Sequence, residues 1–308
     1  MTSPVASPSF AVLTARQITG LSVGVAVVLI ALKAFALGAS GSISILASLA
    51  DSALDLIASL TTFYAVRWAA RPQDASHRHG HGKGEAMAAL VQAGLVFASA
   101  AFIGWEAILR IFDPYPVSGG VWAVGVVLIS MVLTGGLVWL QTRSLKASGS
   151  MAVSADRAHY AADLAASVVV LIGVVSGAWL RAPGLDAAAG LVVAVWLFWG
   201  AYGVLKAAGD QLLDREVPEA DRVALTQAVL SDPRVEGVHQ LRTRMSGNRL
   251  LAQMHIDLDP TLSFEAAHAL VVEAERRVTA AFPDSEVLIH ADPRGVRPAV
   301  PVSPWATP

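Results

Sequence analysis

Asp51 and Asp55 stand four residues apart, and so do His159 and Asp163, each pair inside a stretch otherwise apolar enough to cross a bilayer. Residues at i and i+4 share one face of a helix. Two such faces turned toward each other would place three carboxylates and one imidazole around a point. That is a tetrahedral donor set for a divalent cation such as zinc. An ionisable side chain at the middle of a membrane helix costs about 2.5–3.5 kcal/mol on insertion scales, so four would be hard to retain without a function. These groups cannot all be ionised in a low dielectric without a cation, so the empty pocket is expected to hold protons. A metal displaces them, because bound donors must be deprotonated. A pocket that binds either species and opens to each side in turn exchanges metal for protons. With protons driven inward, metal leaves the cell. The competing reading, polar groups kept for packing, suits one Asp–His pair better than two pairs on two helices.

The elements that must carry these residues are membrane helices. The chain has 308 residues, 55% hydrophobic and only 15% charged, with a mean hydropathy of +0.56. Soluble domains carry about 25% charge, and the deficit lies in the first two thirds. Six apolar segments run over 17–37, 43–68, 86–111, 120–141, 153–180 and 185–206, each near or above the ~20 residues that span a bilayer. Arg67, Arg71, Arg78 and Lys83 follow the second, Arg143, Lys146 and Arg157 flank the fourth and fifth, and Lys206 and Arg215 follow the sixth. The positive-inside rule then puts both termini in the cytoplasm. Lys33, inside the first segment, is expected to snorkel toward an interface. Gly135-Gly136 is expected to allow close helix packing, and Asp113 to Gly120 to form a short turn on the far side. Residues 1–16 read as a flexible tail before a retained first helix, since the apolar run is too long for a cleaved leader. A net charge of −2 speaks against a nucleic-acid partner. The chain has no cysteine, which leaves His and carboxylates as its metal donors.

Past residue 209 the pattern changes. Pro218 to Leu230 has helical spacing. Val235 to Met245 and Arg249 to Leu258 alternate as strands around a Ser246-Gly247-Asn248 turn. Ser263 caps a second helix reaching about Phe282, and Ser285 to His290 reads as a third strand. The fold class is therefore a six-helix membrane domain (17–208) followed by a cytoplasmic αββαβ domain of α+β type (209–293), with a Pro-rich, disordered end (294–308). Between helices two and three, Asp74, His77, His79 and His81 could hold a cation or form an ordinary solvated loop. In the tail, neighbouring strands could bring His255 near His290 and Asp292.

At these residues the chain resembles the cation diffusion facilitator family, and within it the bacterial zinc and ferrous-iron efflux branch. The strings that carry the likeness are Leu46-Ala47-Ser48-Leu49-Ala50-Asp51-Ser52, Gly80-His81-Gly82-Lys83, Asp156-Arg157-Ala158-His159-Tyr160, Leu212-Leu213-Asp214-Arg215, Leu241-Arg242-Thr243-Arg244 and Ile289-His290-Ala291-Asp292-Pro293. The resemblance implies a transmembrane zinc site on Asp51, Asp55, His159 and Asp163. It implies a loop site on Asp74, His77 and His81, with His79 as an extra imidazole. It implies a two-metal cytoplasmic site on His239, His255, His268, His290 and Asp292, of which His268 is also open to reading as a surface histidine. It further implies a Lys83–Asp214 pair coupling the two domains, a homodimer joined through the tails, proton-coupled alternating access and an inner-membrane location.

The function expected is export of Zn2+, with Fe2+ or Cd2+ as further substrates, by a secondary transporter rather than an enzyme. A membrane metallohydrolase would need an open zinc position and a base, and no His-Glu-x-x-His motif occurs. A membrane-anchored metal sensor would not need Asp51, Asp55 or Asp163. Borderline ions such as Mn2+ and Co2+ can use the same donors, so spacing alone leaves the metal open.

Overall fold

A computed structural model of the protein describes residues 13–40, 43–112, 121–175 and 185–295. The expected turn of 113–120 and the Pro-rich end past residue 295 lie outside them, as does the expected tail up to residue 12. The helix begins inside that tail, at Ala15. Thr14 and Gln17 form a reciprocal capping box there: Gln17 Oε1 accepts from Thr14 N at 2.9 Å, and Thr14 Oγ1 accepts from Gln17 N at 3.3 Å.

The described residues form six long helices in the first part of the chain: α1 (Ala15–Ser40), α2 (Ile43–Ala69), α3 (Gly84–Phe112), α4 (Val121–Ser148), α5 (Met151–Val175) and α6 (Leu185–Leu212). Among the described residues, five of them are long and apolar enough to cross a membrane. The exception is α5, which carries Asp156, Arg157 and Asp163. Its surroundings explain why it tolerates them, since α5 packs against every one of the other five helices. Large apolar side chains instead face outward from its neighbours, including Leu54, Phe102, Trp105, Val132, Val192 and Trp199, as a bilayer requires. The helices α3 and α6 approach each other closely. A Cβ on Gly190 would sit 3.0 Å from Ala107 Cβ, and one on Gly104 would sit 3.4 Å from Ala194 Cβ. Gly135-Gly136, expected to play this part, does not: a Cβ on Gly136 would meet open space, and one on Gly135 would lie 4.0 Å from Leu164 Cδ2.

The chain divides into two compact units after Leu212. In the second, α7 (Glu219–Leu230), β1 (Gly237–Ser246), β2 (Arg249–Leu258), α8 (Phe264–Ala281) and β3 (Ser285–Pro293) give the αββαβ order. Ser263 Oγ caps α8 by accepting from Ala266 N at 3.2 Å. Gly247 at φ +61° turns the β1–β2 hairpin. The strands β2 and β3 pair in parallel, joined across α8. Leu250, Ala252, Met254, Ile256 and Leu258 of β2 form the core with Leu225 and Val229 of α7 and Leu270, Ala274 and Val278 of α8. With side chains alternating along a strand, His255 and Asp257 therefore point to the opposite, open face. A bulge at Gln240, whose φ is +52°, shifts the β1 register between His239 and Arg242.

Candidate metal centres

Among the described residues, three groups of His and Asp each bring their donor atoms within 4.8 Å of one another: Asp55, His159 and Asp163; Asp74, His77 and His81; and His239, His255 and Asp292. Four donors 2.0–2.1 Å from a tetrahedral zinc stand roughly 3.3–3.4 Å apart, which sets the scale for all three.

In the membrane unit, His159 Nε2 lies 3.1 Å from Asp55 Oδ1 on α2 and 3.8 Å from Asp163 Oδ2 one turn along α5. His159 and Asp55 are buried. The i,i+4 spacing of α5 puts its two donors on one face, and α2 supplies the third. His159 Nδ1 and Asp163 Oδ2 are enclosed without a hydrogen-bond partner. Enclosed polar atoms are otherwise almost always paired, so Asp163 Oδ2, 3.8 Å from His159 Nε2, marks a place for something that binds it; His159 Nδ1 lies across the ring from the Nε2 that faces the carboxylates. Asp51, one turn before Asp55, is exposed and stands outside this group. The structure thus brings three of the four expected residues together.

Lys33 corrects the sequence reading outright. It does not snorkel: it is buried and donates to Ser52 Oγ at 2.6 Å and to the Ser48 carbonyl at 3.1 Å. An ammonium on α1 is therefore tied to the stretch of α2 that carries Asp51 and Asp55. A second feature, toward the N-terminal end of α5, went unread. Asp156 is fully buried and accepts from Gln141 Nε2 of α4 at 2.8 Å and from Gln92 Nε2 of α3 at 3.3 Å. Gln92 Nε2 also reaches Thr62 Oγ1 of α2 at 2.8 Å, and Gln141 Nε2 reaches Ser22 Oγ of α1 at 3.1 Å. The Tyr160 hydroxyl joins Ser59 Oγ at 2.7 Å and donates to the Ser22 carbonyl at 3.2 Å. This polar belt ties α1 to α5 about one helical turn from His159. Its signal in the sequence was Asp156 at i−3 from His159, together with two glutamines within apolar spans.

The loop group is compact. His77 Nδ1 and His81 Nε2 lie 3.4 and 3.3 Å from the two oxygens of Asp74. The backbone N–H groups of His77 and Ser76 donate to Asp74 Oδ1 and hold its carboxyl below the usual range. Trp68 packs beside both imidazoles, 5.3 Å from the His81 ring and 6.1 Å from that of His77. His81 is buried and its Nδ1 has no hydrogen-bond partner. His79 is exposed and outside the group. Nearby, Lys83 Nζ donates to the Leu212 carbonyl at 3.4 Å, while in the second unit Asp214 pairs with Arg244 at 3.2 Å.

On the open face of the tail sheet, register sets His239 beside His255 and His255 beside His290. The rings lie in a row, tilted against one another, with centroids 5.3 and 4.8 Å apart. Asp292 serves all three: Oδ2 lies 2.7 Å from His255 Nδ1 and 3.5 Å from His239 Nε2, and Oδ1 lies 3.3 Å from His290 Nε2. His268 stands apart. It is exposed on α8, stacked 6.4 Å from Phe264.

Residues 20–213 match the family model for a cation efflux transmembrane domain, and residues 217–294 match that for the cytoplasmic domain of a cation efflux protein. The chain belongs to the cation diffusion facilitator family. It is 40% identical over 279 residues to the cation-efflux pump FieF of Shewanella oneidensis, a match covering 90% of this chain and 93% of the relative. A FieF from Cronobacter sakazakii is 35% identical over 274 residues, covering 89% and 91%. The Zn form of CzrB is 31% identical over 28% of this chain and 98% of its own, at a TM-score of 0.26. This facilitator is a multi-pass membrane protein that moves divalent metal ions out of the cytoplasm. Its membrane domain holds one buried donor cluster, and its tail domain holds another on an open sheet.

Proposed function

We propose that this facilitator exports Zn2+, with Fe2+ or Cd2+ as further substrates, in exchange for protons by alternating access. The observation that carries this is the Asp55–His159–Asp163 cluster, with the Asp163 Oδ2 atom enclosed and unpartnered. Asp51, one turn away, completes the ligand set when metal enters. The polar groups there bind metal or protons but leave neither state uncompensated in lipid. The donor chemistry of one imidazole and carboxylates suits zinc, which asks for four ligands and has no strong geometric preference of its own.

In this reading α5 is the sixth crossing, both termini lie in the cytoplasm, and the protein sits in the inner membrane as a homodimer joined through its tails. The loop set of Asp74, His77 and His81 captures or delivers ions. The tail set of His239, His255, His290 and Asp292, with His268, binds metal and stabilises the dimer by mass action. Lys83 and Asp214 link the two domains. The test is flux of Zn2+, Fe2+, Cd2+ and Mn2+ into proteoliposomes under an imposed pH gradient, with and without Asp163→Ala. Zinc flux that follows the gradient and vanishes in the variant supports antiport. Flux that survives the variant, with tail binding intact, would make the protein a sensor on a membrane anchor.

A further inference from the structure

The tail sheet carries a carboxylate that the spacing of its histidines does not reveal. Register pairs Asp257 of β2 with Asp292 of β3 on one side and with Gly237 of β1 on the other. Two residues beyond His255, it points to the same open face. Its Oδ1 stands 3.5 Å from His239 Nε2, the distance that also separates His239 Nε2 from Asp292 Oδ2. Donors that share a tetrahedral zinc lie roughly 3.3–3.4 Å apart, so His239 has a carboxylate near ligand spacing on either side, although Asp257, like Asp51 in the membrane unit, stands just outside the compact group and must close on the ion. Gly237 is what leaves room for this. A Cβ there would come within 2.5 Å of Asp257 Oδ2.

Charge favours the same conclusion. Asp292 is divided among three imidazoles. A divalent ion held by His239, His255 and Asp292 alone keeps one positive charge and an open position. Asp257 would cancel that charge and close the fourth position, giving the fully protein-ligated form typical of structural zinc.

We infer that Asp257 is a metal ligand, completing a four-donor site with His239, His255 and Asp292. The inference rests on the reading of the open face as a cation site. All four donors come from one sheet, so the site fills within a single protomer. His290 and His268 are left for a second ion or for the dimer interface.

The test is zinc binding to the full-length protein in detergent, measured by competition with a chromophoric chelator. The background carries His77→Ala and Asp163→Ala, so that only the tail titrates. Asp257→Asn should weaken one site per protomer by at least about 10-fold, the lower bound for losing even an outer-shell group. Gly237→Ala should do the same while keeping the charge, because the added methyl pushes the carboxylate off His239. It also decides the matter should Asp257→Asn fail to fold. Wild-type affinity in both variants, with the site lost in His255→Ala, overturns the role of Asp257 and leaves the open-face reading standing. Wild-type affinity in His255→Ala as well would remove the reading itself.

Discussion

The membrane cluster and the tail row use the same two side-chain types in opposite settings. Asp55, His159 and Asp163 come from two helices, are largely buried and leave one donor atom, Asp163 Oδ2, unpartnered. His239, His255, His290 and Asp292 come from three hydrogen-bonded strands, are half open to water and already satisfy one another through Asp292. Helices pack through side chains and can shift against each other, whereas strands are held at fixed spacing by their ladder. In the proposed exchange, the helical cluster is exposed to one side and then the other, and protons take the place of the metal in its empty state. The sheet row is held at fixed spacing by its ladder and lies open to solvent. The same chemistry therefore suits transit in one place and retention in the other.

The comparison breaks most visibly if the buried cluster proves dispensable. Asp55→Ala or Asp163→Ala should cut zinc flux into proteoliposomes by roughly 100-fold or more, since losing a ligand exceeds the 10–100-fold typical of outer-shell losses, while zinc affinity of the tail is unchanged. The reverse experiment is His255→Ala. It should abolish the rise in melting temperature that zinc gives the tail, worth about 2.7 kcal/mol at a hundredfold excess over Kd, yet leave flux at saturating zinc within a few-fold. A large flux defect there would join the two sites functionally.

Stability that owes nothing to metal sharpens the contrast. Asp232 accepts from Arg234 at 2.8 Å and from Arg277 at 3.2 Å, and these bonds, Arg234 first, hold its carboxyl far below the usual range. A depressed carboxyl stabilises the fold above its ordinary value of about 3.9, and that contribution is lost as the pH falls toward the folded value. Asp232→Asn should therefore lower the tail's melting temperature by several degrees at pH 7, about 4–8 °C for each kcal/mol in a unit of this size. The gap should narrow below about pH 4, followed by calorimetry without zinc. A gap that stays constant with pH would mean that packing, not charge, sets it. The smallest effect expected is on selectivity. His159→Asp replaces a borderline donor with a hard one and should shift relative transport from Zn2+ toward Mn2+, read as the ratio of the two fluxes.

Much of this was legible in the chain. The apolar segments mapped onto α1 to α6, and alternation and turn residues gave the αββαβ tail, because both signals report which side of an element faces away from water. The i,i+4 pair on α5 and its partner Asp55 were legible for the same reason. Other features were not. A lysine's four-carbon stem reaches an interface or a neighbouring helix equally well, and only the position of Ser48 and Ser52 on α2 sends Lys33 inward. Asp51 and Asp55 share a helix face, yet how that face is rotated toward α5 decides that Asp55 meets His159. Gly135-Gly136 looked like a contact, but the close approach falls at Gly104 and Gly190. Asp257 carries no pattern of its own and acquires meaning only when register sets it across from Gly237.

The central place of α5 has a consequence for biogenesis. A segment bearing Asp156, Arg157, His159 and Asp163 gains little from entering lipid by itself. Its favourable partners are the five helices that surround it, one of which, α6, is synthesised after it. As the proposed sixth crossing, α5 is therefore expected to enter the bilayer alongside its neighbours rather than alone. A nascent chain halted before α6 would leave that helix with an uncovered flank, an obvious target for quality-control proteases.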